Sequence, residues 1–399
     1  MTSPPKGRSP FYPGQPVPAE LFVGRKAEID RITRAASQVG AGKQQAIFVT
    51  GEYGIGKSSL AGYIRVLAER EYSLFGIHVF LGGATTLEEV AIKTVEAIIQ
   101  SGAFNATWVE AARNTLSKYV GEQSLFGVTL RLDQLRADGP DLSRGYLPLL
   151  RGLFERAKEG GANGILLVLD EINGISSNPQ FAHFIKALVD ENALSRPPLP
   201  LLLMLCGVEG RRREMIQHHQ PIERIFDIAE IRPMNEAEMR DFFQHSFQSQ
   251  DIQVESAAMP ILMHFGAGYP KVMHIVGDAA FWIDKDGKID GEDAVRAVVA
   301  AAEDVGRKFV DQQVMKALKS KDYQSILKKL AKADFDLAFP KAEMAKGLTE
   351  GERRKFNNFL QKMKKLDVLR AGGELGEYVF NSRLVRLYIR LNSAETPSK

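Results

Sequence analysis

Residues 51–58 read G-E-Y-G-I-G-K-S, and that spacing of glycine, lysine and hydroxyl suits the holding of a phosphate chain. Gly51, Gly54 and Gly56 let the backbone turn tightly, so that main-chain N–H groups through Glu52, Tyr53 and Ile55 surround the anion. Lys57 then reaches the β- and γ-phosphates, and the Ser58 hydroxyl, with Ser59 next to it, is placed for Mg²⁺. A helix starting here adds the positive end of its dipole beneath the phosphates. A second piece is I-L-L-V-L-D-E at 165–171, an apolar run ending in two acids. A strand of this kind holds Asp170 close to the metal, and Glu171 has the placement of a general base that polarises an attacking water. The expected cofactors are ATP and Mg²⁺, with Ser58 and Asp170 on the metal. The Asp-Glu pair argues for hydrolysis with a dedicated base, and no N-K-x-D guanine-reading motif is present.

These groups must be positioned by strands and helices. Gln44–Thr50 is a short β-branched apolar run that reads as a buried strand, followed by a helix over Lys57–Glu69. Phe75–Leu81 reads as a second strand, with helical patterns at Thr86–Gln100, Ala112–Lys118 and Leu147–Lys158. Ile165–Asp170, a helix near Phe181–Asp190 and the strand Leu199–Gly207 complete the series. Strands alternating with helices predict an α/β fold with a parallel sheet covered on both faces. From Met234 to about Arg307 the pattern is helical with no convincing strand. The first 18 residues are rich in Pro and Gly and read as an extended arm.

The chain has 399 residues, 44% hydrophobic and 25% charged, enough for two or three domains with sizeable cores. No apolar run approaches the ~20 residues needed to span a bilayer, and the N-terminus lacks the apolar stretch of a secretory signal. The lone Cys206 cannot form an internal disulfide, which fits a reducing cytoplasm, and its apolar surroundings predict a small buried hydrophobe. Net charge is +3, unevenly spread. Between Asp311 and Leu391, 12 Lys and 6 Arg face 5 Asp and 5 Glu, a balance of +8, while the first 310 residues carry −5. Such asymmetry points to contact between the basic end and a polyanion.

Together FVGR (22–25), GEYGIGKS and LLVLDE resemble the AAA+ superfamily, in the branch of origin-recognition-type initiators, archaeal-type ATPases and STAND ATPases. The resemblance implies a three-layer P-loop core over 19–233, an all-α lid over 234–310, and a winged-helix domain over 311–391 before a disordered tail at 392–399. It implies that the Leu21–Gly24 segment, Phe22 and Val23 above all, packs around adenine. It also places Leu199–Gly207 between the P-loop strand and the Asp170 strand. Such strands end in a polar residue that touches the γ-phosphate, but Cys206, Gly207, Val208 and Glu209 supply no Asn or Thr. Arg224 is the candidate arginine that reaches a neighbouring subunit's ATP, the alternative being a surface pair with Glu223 or Asp227. The run Arg211–Arg213 offers the same chemistry. G-Y-P-K-V at 268–272 resembles the start of a lid helix, from which Lys271 would approach the phosphates.

At the basic end, helical patterns at Tyr323–Lys332 and Lys341–Lys346 precede a helix that Thr349 and Glu352 cap reciprocally. Phe356, Phe359, Leu360, Met363 and Leu366 share one face of that helix. Arg353, Arg354, Lys355, Asn357, Asn358, Gln361, Lys364 and Lys365 occupy the others. Two β-like runs around a Gly-rich turn come next, carrying Arg370. Three helices and a hairpin are the layout of a winged helix, whose third helix enters a major groove with Asn and Gln on base edges and Arg or Lys on phosphates. In STAND and related ATPases such a module often serves for protein interaction or autoinhibition instead. The acidic turn at 282–293 lacks the first ligand and the bidentate Glu of a calcium loop. The expectation is an ATP-hydrolysing, homo-oligomeric assembly switch acting on double-stranded DNA without a membrane. The alternatives are a signalling or defence ATPase with a protein partner, and a non-hydrolysing scaffold.

Overall fold

The computed structural model describes residues 7–101, 123–125, 128–130 and 140–393. The helix expected at Ala112–Lys118 and the tail beyond 393 lie outside them. The chain divides into two compact units, Gln15–Pro233 on one hand and the described residues of Met1–Gly14 and Met234–Lys399 on the other.

Gln15–Pro233 is built on a five-stranded parallel sheet. Its elements run α1 (Lys26–Gly40), β1 (Gln45–Thr50), α2 (Lys57–Tyr72), β2 (Leu74–Phe80) and α3 (Leu87–Gln100). Then come the short antiparallel pair β3 (Gln123–Leu125) and β4 (Val128–Leu130), α4 (Pro140–Glu159), β5 (Gly164–Asp170) and α5 (Pro179–Leu194). The last elements are β6 (Leu201–Gly207), α6 (Glu209–His218) and β7 (Asp227–Glu230). The strand order β2-β5-β6-β1-β7 puts β6 between β1 and β5, as the resemblance implies. Every residue of β5 and β6 is buried, so both faces of the sheet are covered; that is why these strands read as unbroken apolar runs. The helices start where local chemistry allows: Thr86 and Glu89 form a capping box on α3, and Asn178 caps α5 ahead of Pro179 at its first position. In register, Thr50 pairs with Gly207 and Phe80 with Asp170, so the carboxyl ends of β1, β6, β2 and β5 finish level. A crevice at strand carboxyl ends is where such sheets take ligands.

The other unit contains α7 (Glu236–Gln248), β8 (Gln253–Val254), α8 (Ala258–Gly266), α9 (Pro270–Ile283), β9 (Lys288–Ile289) and α10 (Gly291–Val305). The pair β8–β9 corrects the strand-free expectation for 234–307: two parallel two-residue strands join here. Between them Asp284 Oδ1 accepts the N–H groups of Asp286, Gly287 and Lys288, closing the acidic turn on itself. Phe11, from the Pro/Gly-rich arm, is buried, its ring edge-on to Phe247 at 4.9 Å. Helix α10 continues without a break into a π-helical stretch over Gly306–Met315, so no linker separates the preceding helices from the basic end.

The basic end comprises α11 (Lys321–Lys332), β10 (Ala338–Pro340), α12 (Lys341–Lys346), α13 (Glu350–Lys365), β11 (Leu369–Ala371), β12 (Glu377–Phe380) and α14 (Arg383–Asn392). The strands form one antiparallel sheet in the order β10-β12-β11. Thr349 and Glu352 do make the reciprocal cap of α13, and Phe356, Phe359, Leu360 and Met363 are buried along one side. Strand β10, three residues long, is an addition to the helices and hairpin expected from sequence. Among the described residues no helix is long and apolar enough to cross a membrane.

Candidate active site

Strand β1 delivers the chain into the glycine loop, and α2 receives it. A side chain at Gly51 would place its Cβ 2.7 Å from the carbonyl of Ile231, so only glycine fits there. Gly56 caps α2 with φ 99°, a left-handed value that favours glycine. The loop is braced from outside by Arg25, which caps α1, is buried and is itself left-handed at φ 66°. Its guanidinium donates to the carbonyl of Ile55 at 3.1 Å and to that of Arg232. The arginine of the FVGR segment is thus a strut under the phosphate loop, a role that its sequence neighbours alone do not reveal.

Lys57 Nζ donates to the carbonyls of Gly51 (3.0 Å) and Glu52 (2.8 Å). Burial lowers its pKa, while Asp170, Glu171 and Glu52 pull the other way. The thiol of Cys206 is buried and pushed well up by that burial, so it stays neutral. The lysine is held by two main-chain carbonyls of the glycine loop, partners that phosphate oxygens could replace. Next to it, Ser58 and Asp170 line one cleft of about 460 Å³, together with His78, Arg65, Pro16 and Val17. A hydroxyl at a helix start and a buried carboxylate fit the hard oxygen set of Mg²⁺, which takes few protein ligands and completes its shell with phosphates and water. Among the described residues no group of three or more His, Cys, Asp or Glu could hold a metal by itself. Ser59, grouped with Ser58 on sequence, accepts the N–H of Val17 at 3.1 Å and ties the incoming chain to α2.

Asp170 ends β5 and is 1% exposed. Its Oδ1 accepts the N–H of Glu171 at 2.8 Å. Glu171 is left-handed, φ 56°, a strained value for glutamate of the kind that clusters at working sites. Its carboxylate lies beside Gly82, where a Cβ would stand 3.1 Å from Oε2. The Leu21–Gly24 segment is partly exposed, and Phe22 stacks on Tyr63 of α2 with centroids 4.8 Å apart, adding a ring that no sequence motif marks.

Strand β6 ends without a polar side chain, but one arrives from another loop: Asn173 Oδ1 accepts the Val208 N–H at 3.3 Å. Glu209 opens α6, where Arg212 and then Arg213 hold its carboxyl below the usual range. Arg211 pairs with Glu214 at 2.8 Å, so the basic run is neutralised within its own helix. Arg224 differs. It is exposed, and among the described residues nothing pairs with it, since Asp227 takes Arg31 instead. Lys271 lies in the other unit, exposed at the second position of α9.

On α13, Arg353 donates to the carbonyls of Ala345 and Leu348, Arg354 pairs with Glu350, and Lys355 pairs with Asp322 of α11. Asn357, Asn358, Gln361, Lys364 and Lys365 stay exposed, with 357, 361, 364 and 365 on one helical stripe. Arg370 is exposed on β11. At the hairpin tip between β11 and β12, Leu375 is fully exposed.

Residues 21–204 match the family described as AAA ATPase domain. The fold is similar to that of the Walker-type ATPase PabY2304 of Pyrococcus abyssi, at 17% identity and TM-score 0.57, covering 94% of this chain and 97% of that one. It is also similar to the ORC2 protein of Aeropyrum pernix, solved in ADPNP–ADP complexes, at 13% identity and TM-score 0.59, covering 96% and 95%. No curated protein matches.

Proposed function

Because the chain carries an AAA ATPase domain over residues 21–204, we propose that it binds Mg-ATP between the glycine loop and the end of β5. It hydrolyses ATP slowly and uses the cycle as an assembly switch on double-stranded DNA. The observation that carries the nucleotide part is that Ser58 and Asp170, far apart in the sequence, line one cleft beside the half-buried Lys57. Gly51–Ser58 wrap the phosphates, Lys57 leaves the loop carbonyls for phosphate oxygens, and Phe22 and Val23 contact the base. Ser58 and Asp170 hold Mg²⁺, which when bound neutralises charge on the phosphates. Glu171 accepts the proton of the attacking water. Arg224 supplies a cation to the ATP of an adjacent copy, and Lys271 one from the lid. Supporting the first of these is Arg224's exposed, unpaired state among the described residues.

The DNA part rests on the charge balance of +8 over 311–391 and on the exposed stripe of Asn357, Gln361, Lys364 and Lys365. The elements from α11 to α14 support a winged-helix reading, with α13 as the recognition helix. ATPase rate and particle mass, measured with and without duplex DNA, test it: DNA should raise the rate and enlarge the particle. A second reading, a signalling ATPase whose end domain binds protein, is favoured by two observations. Arg353, Arg354 and Lys355 are engaged within the chain, and Leu375 is a bare apolar tip. Indifference of rate and mass to DNA would select it.

A further inference from the structure

Asp170 is gripped on both carboxylate oxygens. Besides the Glu171 N–H on Oδ1, its Oδ2 stands 3.2 Å from Nε2 of His78, with the His78 side chain 23% and the Asp170 side chain 2% exposed. The backbone is fixed as well, since the Leu81 N–H donates to the Asp170 carbonyl at 2.8 Å and extends the β2–β5 ladder. His78 opposes Val168 in that ladder and Phe80 opposes Asp170, so the imidazole reaches the carboxylate along a diagonal on one sheet face. His78 lines the same cleft as Ser58.

We propose that His78 is a positioning residue for the metal carboxylate. With its proton on Nε2 it donates to Oδ2 and stops rotation of the Asp170 carboxyl group. Each oxygen keeps a lone pair for Mg²⁺ or for a water bound to it. A carboxylate locked in this way loses no rotational freedom when the metal arrives, and outer partners of this kind set metal affinity within about 10–100-fold. The inference rests on the reading of Asp170 as the Mg²⁺ carboxylate, and it assigns a function to a strand β2 residue that lies outside both nucleotide motifs.

The experiment titrates MgCl₂ against binding of N-methylanthraniloyl-ATP, followed by fluorescence, for the full chain and its His78→Ala, His78→Gln and Asp170→Asn variants. Affinity without Mg²⁺ is measured for each chain as the reference for its own Mg²⁺ midpoint. The Mg²⁺ midpoint should rise about 10-fold or more in His78→Ala. It should return most of the way in His78→Gln, whose amide nitrogen takes the place of Nε2. Melting of each variant reports its fold, and if His78→Ala fails to fold, His78→Leu against His78→Gln makes the same comparison. A midpoint unmoved in His78→Ala but moved in Asp170→Asn overturns the role of His78 and leaves the site reading standing. A midpoint unmoved in Asp170→Asn overturns both.

Discussion

Glu171 carries the sharpest functional consequence of any single residue. On the proposed reading it serves the attacking water, one residue past the metal carboxylate, and not the nucleotide. Glu171→Gln should therefore keep ATP affinity within about twofold while turnover falls by about 10²-fold or more, read as bound ATP persisting in a single-turnover assay. Arg25 acts differently. Its buried guanidinium holds carbonyls of the loop and of the chain leaving β7, so Arg25→Ala should lower stability by about 2–4 kcal/mol in urea unfolding and weaken nucleotide binding as well. For single residues the sequence is legible where chemistry is local. Gly51–Ser58 and Asp170–Glu171 are each contiguous, and their residue types leave few other uses. His78, Asn173 and Tyr63 are not legible, because each acts through a partner on a different element. His78 inside F-G-I-H-V-F-L looks like a histidine in an apolar strand until the β2–β5 register sets it diagonal to Asp170.

Among the elements, the helix that packs the arm offers a test by pH. His274, on α9, is buried beneath Phe11 and Phe242, and its Nδ1 accepts the Tyr12 N–H. Burial lowers its pKa to about 4 from an ordinary 6.5. The unfolded chain then binds a proton that the folded one refuses, so stability should fall as pH drops from about 6.5 to about 4 and level off below. The loss is on the order of 3 kcal/mol, and His274→Gln should flatten it in melts taken across that range. Long periodic elements are readable: β5 and β6 as apolar runs, α13 from its 3.6-residue spacing and its cap. The pair β8–β9 and the strand β10 are not, since two or three residues carry no period and gain their partners only through the fold. The helix running from α10 through Met315 crosses the expected domain edge at 310, where a change in composition suggests a joint.

For the whole molecule, charge is the feature with the longest reach. An acidic body and a basic end predict salt-dependent attraction to polyanions. Lys364→Glu with Lys365→Glu should weaken duplex binding across all sequences and reduce the slope of log affinity against log salt by about 2, measured by fluorescence anisotropy at several salt concentrations. Arg353 is a poor choice for that test, because it holds the turn between α12 and α13 and its loss would disturb the fold. On the proposed reading, nucleotide binding turns on the lysine that rests on the carbonyls of Gly51 and Glu52. Calorimetric titration of ATP with Mg²⁺ into the intact chain and into Lys57→Ala isolates its part. The intact chain should bind measurably and Lys57→Ala at least about 100-fold more weakly, as expected when a charge-assisted contact to phosphate is removed. Equal affinity in the two chains would refute the phosphate-binding role of the glycine loop.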